Sequence, residues 1–429
     1  MKVKGDNTLK RALVLAGGGS KGAYEVGFVK ALRELGIDYN IVTGTSIGSL
    51  NGCLLAQKDY NAMVNLWNTM TINDVFSGGF DDDFNFMNID DLMNQKNLVY
   101  SFFKKYLKEK GADITPLKEL IRSLLDEDKL LNSDIDFGLC TVKFPSLKPV
   151  LITKQEMGKE DIYNYLIASA SCFPAFPIYS FNDEQYIDGG YYDNVPIDLA
   201  FKMGADEVIV VDMHMEATHP HYLDKPFVKY IHPYVDLGMF MDFDRASLDR
   251  NIRLGYQVCM KAYGELEGIQ YTFFPEESDL FETFYKKIRQ MEINMRIDSK
   301  DDNGANLFKS IEENYDFKFS IKDYTFGVLD LLGNNSNKDV SYIYDINSFT
   351  GDLLEDYEKY TDSDFKFVDT IELKSNLKEI NRKGVIGRIY HQLLYPDQEV
   401  IKLDYYISIF PKETLQALLL YELRMRHLF

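Results

Sequence analysis

Two consecutive strand-to-helix turns built on glycine constrain this chain more than any other feature. Ala12 to Ala16 (ALVLA) is a short apolar run that passes through Gly17 to Gly22 (GGGSKG) into Ala23 to Leu35. In that stretch Val26, Val29 and Leu32 recur at near-helical spacing before a stop at Gly36. Asn40 to Thr43 (NIVT) is a second, partly β-branched run, and it passes through Gly44 to Gly48 (GTSIG) into the apolar, helix-compatible Ser46 to Gln57. Two strand-turn-helix units in succession point to an α/β domain.

The second turn has the form G-x-S-x-G and places Ser46 where a strand hands over to a helix, the context of a nucleophile elbow. Gly44 and Gly48 lack the Cβ that would block the approach of strand, helix or substrate to the serine. At the first turn of a helix, unpaired N–H groups and the helix dipole favour negative charge on an attacked carbonyl oxygen. The competing reading is an ordinary glycine-rich turn.

Gly17, Gly19 and Gly22 also satisfy G-x-G-x-x-G, the spacing of a dinucleotide site. A Rossmann unit places an acidic residue at the end of the next strand, whereas Asp38 precedes that run here and the run ends in Thr43, Gly44, Thr45 and Ser46. No G-x-x-x-x-G-K-[ST] phosphate loop is present. Without a pyrophosphate, three glycines at the carboxyl end of a strand still present unhindered N–H groups, an anion nest suited to an oxyanion. Lys21 either adds positive charge there, props the loop, or is a solvated surface lysine.

A base for Ser46 is found in Asp188 to Pro196 (DGGYYDNVP), after the short run Gln185 to Ile187. Asp188, followed by Gly189 and Gly190, reads either as a hairpin turn or as the acidic partner of the serine. None of the six histidines lies among the glycine motifs, so a Ser46–Asp188 dyad ranks above a triad through His214, which follows the strand-like Glu207 to Asp212.

The order GGGSKG, GTSIGSLNG, the Ser- and Pro-containing ASASCFPAFP (Ala168 to Pro177) and DGGYYDNVPID resembles the patatin-like phospholipase family of bacterial type over roughly the first 215 residues. The resemblance implies a three-layer α/β/α sandwich with a central, mainly parallel sheet. It implies lipid acyl hydrolysis by Ser46 as nucleophile and Asp188 as proton acceptor, an oxyanion hole at Gly17, Gly18 and Gly19, and no metal or cofactor. Lys21, Gly22, Gly44, Gly48, Gly189 and Gly190 are then supporting residues. Lys21 stands where arginine is commoner in the family, Ser49 where alanine is, and Phe173 interrupts a run of small residues. An exposed aspartate is a poor base for a hydroxyl near neutrality, so this chemistry requires a partly desolvated pocket around Asp188. An acyltransferase with the same serine, or a lipid-binding protein without turnover, are the alternatives. Thr45 stands beside the serine where transferases often carry histidine, and the intact dyad and loop argue against a non-catalytic binder.

A formal net charge of −20 over 429 residues argues against nucleic acid and against global attraction to anionic lipid surfaces. Cys53, Cys140, Cys172 and Cys259 form no C-x-x-C pair, so buried free thiols are expected. No apolar stretch reaches membrane-spanning length, and the expectation is a cytoplasmic chain with an acyl-ester substrate, open to peripheral membrane contact and of undetermined oligomeric state. Two stretches are candidates for such contact: Asn97 to Lys110, where Phe102 and Phe103 accompany several lysines, and the leucine-rich Glu413 to Phe429. Helices packed on the core explain both as well.

The expected organisation is a catalytic domain over 1–270, with a helical cap insertion at about 58–130, and an accessory, α-rich or mixed region over 271–429. The polar break Ile297 to Asn306 marks a boundary somewhere between about 265 and 305. Gly78, Gly79 and Asp81 to Asp83 suggest a mobile lid. Asp136 to Lys143 and Val150 to Lys154 read as strands, Met239 to Leu266 as a helix, and Val400 to Phe410 (VIKLDYYISIF) as a strand.

Overall fold

Ala12 to Leu15 have no solvent exposure, nor do Ile41 and Val42 of the second apolar run. Strands buried on both faces belong to a sheet covered by helices on each side, where parallel pairing is the rule. The computed structural model of the protein describes residues 9–77, 112–298, 307–359, 381–396 and 402–427. Its eight-stranded sheet contains β1 (Arg11–Leu15), β2 (Ile41–Thr45), β3 (Asp136–Phe144), β4 (Lys148–Thr153), β5 (Tyr179–Phe181), β6 (Glu184–Asp188), β7 (Glu207–Val211) and β8 (Val228–Ile231). β3–β2–β1–β7–β8 pair in parallel, and Leu13 at the centre faces Val42 on one side and Ile209 on the other. β4, β5 and β6 add antiparallel pairs around β3. This mixed, mostly parallel sheet flanked by helices is the expected α/β architecture.

The register along β3 decides where the chain's motifs meet. β4 pairs with Gly138 to Lys143, β2 with Asp136 to Cys140, and β6 with Thr141 to Phe144. Gly138 to Cys140 pair with β4 and β2 at once, and Thr141 to Lys143 with β4 and β6, so β2 and β6 share the edge of β3 that β4 does not use. They lie end to end: Thr45, the last residue of β2, is opposite Cys140, and Asp188, the last of β6, is opposite Thr141.

Helix α1 (Ala23–Glu34) follows the first glycine turn, α2 (Ile47–Ala56) the second, and α3 (Tyr60–Thr69) comes directly after α2. Asp59 caps α3, accepting the Ala62 N–H at 3.1 Å. Between α3 and β3 the described α-helices are Thr115–Leu124 and Glu127–Asn132. Asn97 to Lys110, Gly78, Gly79 and Asp81 to Asp83 lie outside the described residues. Helix Arg245–Ala262 starts later than the expected Met239, because Asp244 takes the capping position and accepts the Ala246 N–H at 2.9 Å. It crosses α1 backbone to backbone. A Cβ on Gly27 would lie 1.8 Å from the Ile252 carbonyl oxygen, and one on Gly255 would lie 1.8 Å from that of Tyr24.

The chain divides into two compact units, Met1–Ala262 and Tyr263–Phe429. The second is helical, with a two-stranded parallel sheet of Thr272–Phe273 and Ile343–Tyr344. Part of its aromatic complement forms the core: Phe273 stacks on Phe326 and meets Phe349 edge-on, while Phe274, Tyr342 and Tyr395 are exposed. Asp330 is fully buried there and accepts the Gln270 and Tyr271 N–H groups and the Tyr315 hydroxyl. Val400 and Ile401 lie outside the described residues, and the rest of the strand expected at Val400 to Phe410 is instead a helix, Leu403–Ile409. Tyr406, Ile407 and Phe410 are buried while Lys402, Asp404 and Ser408 are exposed, a helical period that the β-branched composition concealed. In the last helix, Pro411–His427, Leu415, Leu419, Leu420 and Leu423 are buried, so its leucines belong to the core of its own unit.

The α1 crossing yields a direct test. Gly27→Ala or Gly255→Ala forces the two backbones apart and is expected to lower the stability of the first unit by about 3 kcal/mol or more in urea unfolding.

Candidate active site

Ser46 sits between β2 and α2 with φ 53° and ψ −123°, a conformation rare for a residue with a side chain. The turn closes only because its flanks are bare. A Cβ on Gly44 would lie 2.3 Å from the Gly48 carbonyl oxygen, and one on Gly48 would lie 2.5 Å from those of Leu15 and Ala16. The Ser46 N–H donates to Ser169 Oγ at 2.9 Å, and the Ser169 hydroxyl donates to the Cys140 carbonyl at 2.8 Å, tying the elbow to β3. The Thr45 hydroxyl donates to the Asp193 carbonyl at 2.8 Å.

Asp188 is only 5% exposed. Burial raises its carboxyl to about 6, against hydrogen bonds from the Gly190 N–H, at 2.8 Å, and from the Ser46 hydroxyl. Gly189 lies against β3, where a Cβ would come within 2.3 Å of the Cys140 carbonyl oxygen, and Gly190 brings its N–H to Asp188.

The glycine loop after β1 is held from both ends. Asn194 clamps Gly17: the Gly17 N–H donates to the Asn194 carbonyl at 3.1 Å, and Asn194 Nδ2 donates to the Gly17 carbonyl at 3.0 Å. The Ser20 N–H donates to the Phe240 carbonyl at 2.7 Å. Gly17 therefore has its N–H engaged, while the N–H groups of Gly18 and Gly19 have no protein acceptor among the described residues. Lys21 is 8% exposed, packed along Gly18, and Gly22 packs under Ile47 and Trp67. Gly17, Gly18, Gly19, Lys21, Ser46 and Asp188 line one cavity of about 600 Å³.

His214 also lines it, with Nδ1 2.8 Å from Asp212 Oδ1. Asp212 is buried, which opposes its charge, yet hydrogen bonds from His214, Tyr230 and the Thr218 N–H hold it down at about 2. His214 thus takes Asp212 as its carboxylate. Asn194, Ser169 and the pair His219–Asp193, 2.9 Å apart, were not singled out from sequence. Asn194 lies two residues before a proline in a turn-rich stretch, and nothing local distinguishes a clamp from a turn asparagine. Among the described residues no cluster of His, Cys, Asp or Glu is arranged to hold a metal ion, and no helix is long and apolar enough to cross a membrane.

The fold and the site define an α/β domain with a G-x-S-x-G elbow facing a buried aspartate. Residues 13–201 of the chain match the family model of patatin-like phospholipases. Lysophospholipase NTE1 of Scheffersomyces stipitis is 29% identical over 211 residues, which cover 47% of this chain and 11% of the relative. Patatin-like phospholipase domain-containing protein 7 of Rattus norvegicus is 25% identical over 204 residues, covering 47% and 13%. The chain thus spans a small part of the length of these relatives. The crystal structure of VipD from Legionella pneumophila overlays with a TM-score of 0.38 at 13% identity, covering 97% of this chain and 90% of its own.

A buried polar network lies beneath the site. Glu25 of α1 is fully buried and accepts Asn51 Nδ2 at 2.8 Å, and Trp67 Nε1 donates to Asn51 Oδ1 at 2.8 Å, joining α1, α2 and α3. Burial pushes the Glu25 carboxyl to about 8, against hydrogen bonds from Asn51 and the Ala16 backbone. A raised native value means that the unfolded chain loses this proton first. Stability is therefore greatest below about 4.5 and falls as pH rises through about 8. Glu25→Gln removes that loss, so its melting temperature relative to the native protein should climb between pH 5 and 8, by an equivalent on the order of a few kcal/mol, and level off above. The Asp188 contribution, confined to about 4 to 6, is common to both proteins and cancels.

Proposed function

We propose that the chain is a lipid acyl-ester hydrolase working through Ser46 and Asp188. The observation that carries the proposal is the end-to-end meeting of β2 and β6 on β3, which seats the Ser46 hydroxyl against a desolvated Asp188 in the cavity. Asp188 takes the proton as Ser46 Oγ attacks the ester carbonyl, and the oxyanion is received by the Gly18 and Gly19 N–H groups, with Gly17 holding the loop in shape. Collapse of the tetrahedral intermediate releases the alcohol, which receives the proton from Asp188, and leaves an acyl-Ser46. Water activated by Asp188 then releases the fatty acid and restores the serine. Relatives named as lysophospholipases support single-chain phospholipids as the first substrates to try.

Fatty acid release is measured on lysophospholipids, phospholipids and neutral glycerides. Ser46→Ala and Asp188→Asn are each expected to lower kcat/KM by about a thousandfold, and retention of full activity by either would overturn the dyad. Since the base works only when ionised, the rate should rise with an apparent pKa of about 6 and stay flat above it until another group titrates. Asn194→Ala removes the Nδ2 bond to the Gly17 carbonyl but keeps the backbone bond from the Gly17 N–H, and should lower kcat by about tenfold while the fold persists.

A further inference from the structure

Asp193 and Asn194 form a turn that is tied to the carboxyl ends of three strands. The Thr45 hydroxyl, one residue before the serine, donates to the Asp193 carbonyl at 2.8 Å, and the Thr43 hydroxyl donates to the Pro196 carbonyl at 3.0 Å, which fastens the segment to β2. Asn194 grips Gly17, in the loop after β1, through both its backbone carbonyl and its side-chain amide. The third tie comes from the loop after β7, where His219 Nε2 lies 2.9 Å from Asp193 Oδ1. The same Asp193 oxygen accepts the Val195 N–H at 3.1 Å, so the carboxylate that meets the histidine also closes the turn.

His219 is itself anchored from behind. Its N–H donates to the Tyr230 hydroxyl at 3.1 Å, and that hydroxyl donates to the buried Asp212 at 2.6 Å. A carboxylate only accepts, so Nε2 carries the proton toward Asp193; the bond is charge-assisted while the ring is an imidazolium and an ordinary one when it is neutral. The charged groups around the ring are Asp193 from the segment after β6, Asp198 from the helix Ile197–Lys202 and Asp212 after β7, with His221 and Tyr222 following on its own loop. Lys21, His214 and Glu216 line the same cavity. The bond to Asp193 raises the imidazole above its ordinary value, partial burial opposes the rise, and the charges of Asp193, Asp212 and Asp198 add to it.

We propose that His219 is a positioning residue for the acyl transfer: its imidazolium holds Asp193, and the Asp193–Asn194 turn carries that hold to Thr45 beside the nucleophile and to Gly17 at the head of the oxyanion loop. The proposal rests on the hydrolase reading of this cavity and adds a regulation to it. While the histidine is charged the turn is held firmly, and when the ring loses its proton the tie weakens without breaking. Activity that rises as Asp188 ionises is therefore bounded on the alkaline side by His219.

Fatty acid release from a lysophospholipid is followed against pH, alongside the amide resonances of protein isotope-labelled at glycine. In the native protein kcat is expected to fall about threefold to tenfold on an alkaline limb whose midpoint lies above the ordinary histidine value of about 6.5, with KM within about twofold, and the Gly17 amide should shift with the same midpoint. His219→Gln supplies a neutral donor that does not titrate, so its rate should stay level near the native alkaline plateau and its Gly17 amide should lose that step. An alkaline limb that survives in His219→Gln, a loss expressed in KM alone, or a Gly17 amide with no such step in the native protein would overturn the proposal. If His219→Gln does not fold by circular dichroism, Asp193→Asn reads the same link, because without the carboxylate the Gly17 step should move to lower pH together with the His219 titration. The amide readout needs no turnover, so a His219-dependent step at Gly17 in a native protein that releases no fatty acid would count against the hydrolase reading and leave the tie standing.

Discussion

The site depends on one edge of β3. A strand has two edges, and this one is long enough to receive β4 along one of them and two shorter strands in tandem along the other. Where β2 stops at Thr45, β6 arrives at Asp188, and hydrogen-bond register holds both ends in place. The next residue after Thr45 is Ser46, and the next after Asp188 is Gly189, whose lack of a Cβ lets the chain pass the Cys140 carbonyl. A shift of register would turn side chains to the opposite face and part the serine from the carboxylate. The elbow glycines, the Ser169 bridge and the Asn194 clamp all act around a meeting that the sheet has already made.

Three buried carboxylates show how donors, as well as depth, set ionisation. Glu25 and Asp188 are each raised by burial, to about 8 and about 6, because the few hydrogen bonds they accept do not offset lost hydration. Asp212 is also buried, yet His214, Tyr230 and Thr218 together hold it at about 2. The same fold thus keeps one carboxyl protonated under the helices, one poised beside a serine and one firmly charged beneath a histidine. The middle value suits a proton acceptor near neutrality, which an exposed aspartate does not.

Much of the first unit was legible because its signals are local. Apolar runs at 12–16, 40–43, 136–143 and 207–212 became β1, β2, β3 and β7, and the glycine turns marked where helices begin. The late start at Arg245 followed from an aspartate cap, and the helix at Leu403–Ile409 from a burial period hidden in residues that also favour strands. Gly17 shows the limit of a motif. Three adjacent glycines read alike in sequence, but the Asn194 carbonyl occupies the N–H of the first, while those of Gly18 and Gly19 have no protein acceptor among the described residues.

The sequence by itself determined the α/β class, the two glycine turns and the residue types available for chemistry, because strand periodicity, helix starts and glycine's small size act over a few residues. Tertiary structure alone decided that Thr45 and Asp188 would end side by side on β3, that Asp188 would be desolvated, and that Asn194 would close on Gly17. Each of these depends on groups far apart in the chain, and only sheet register and burial bring them within reach of one another.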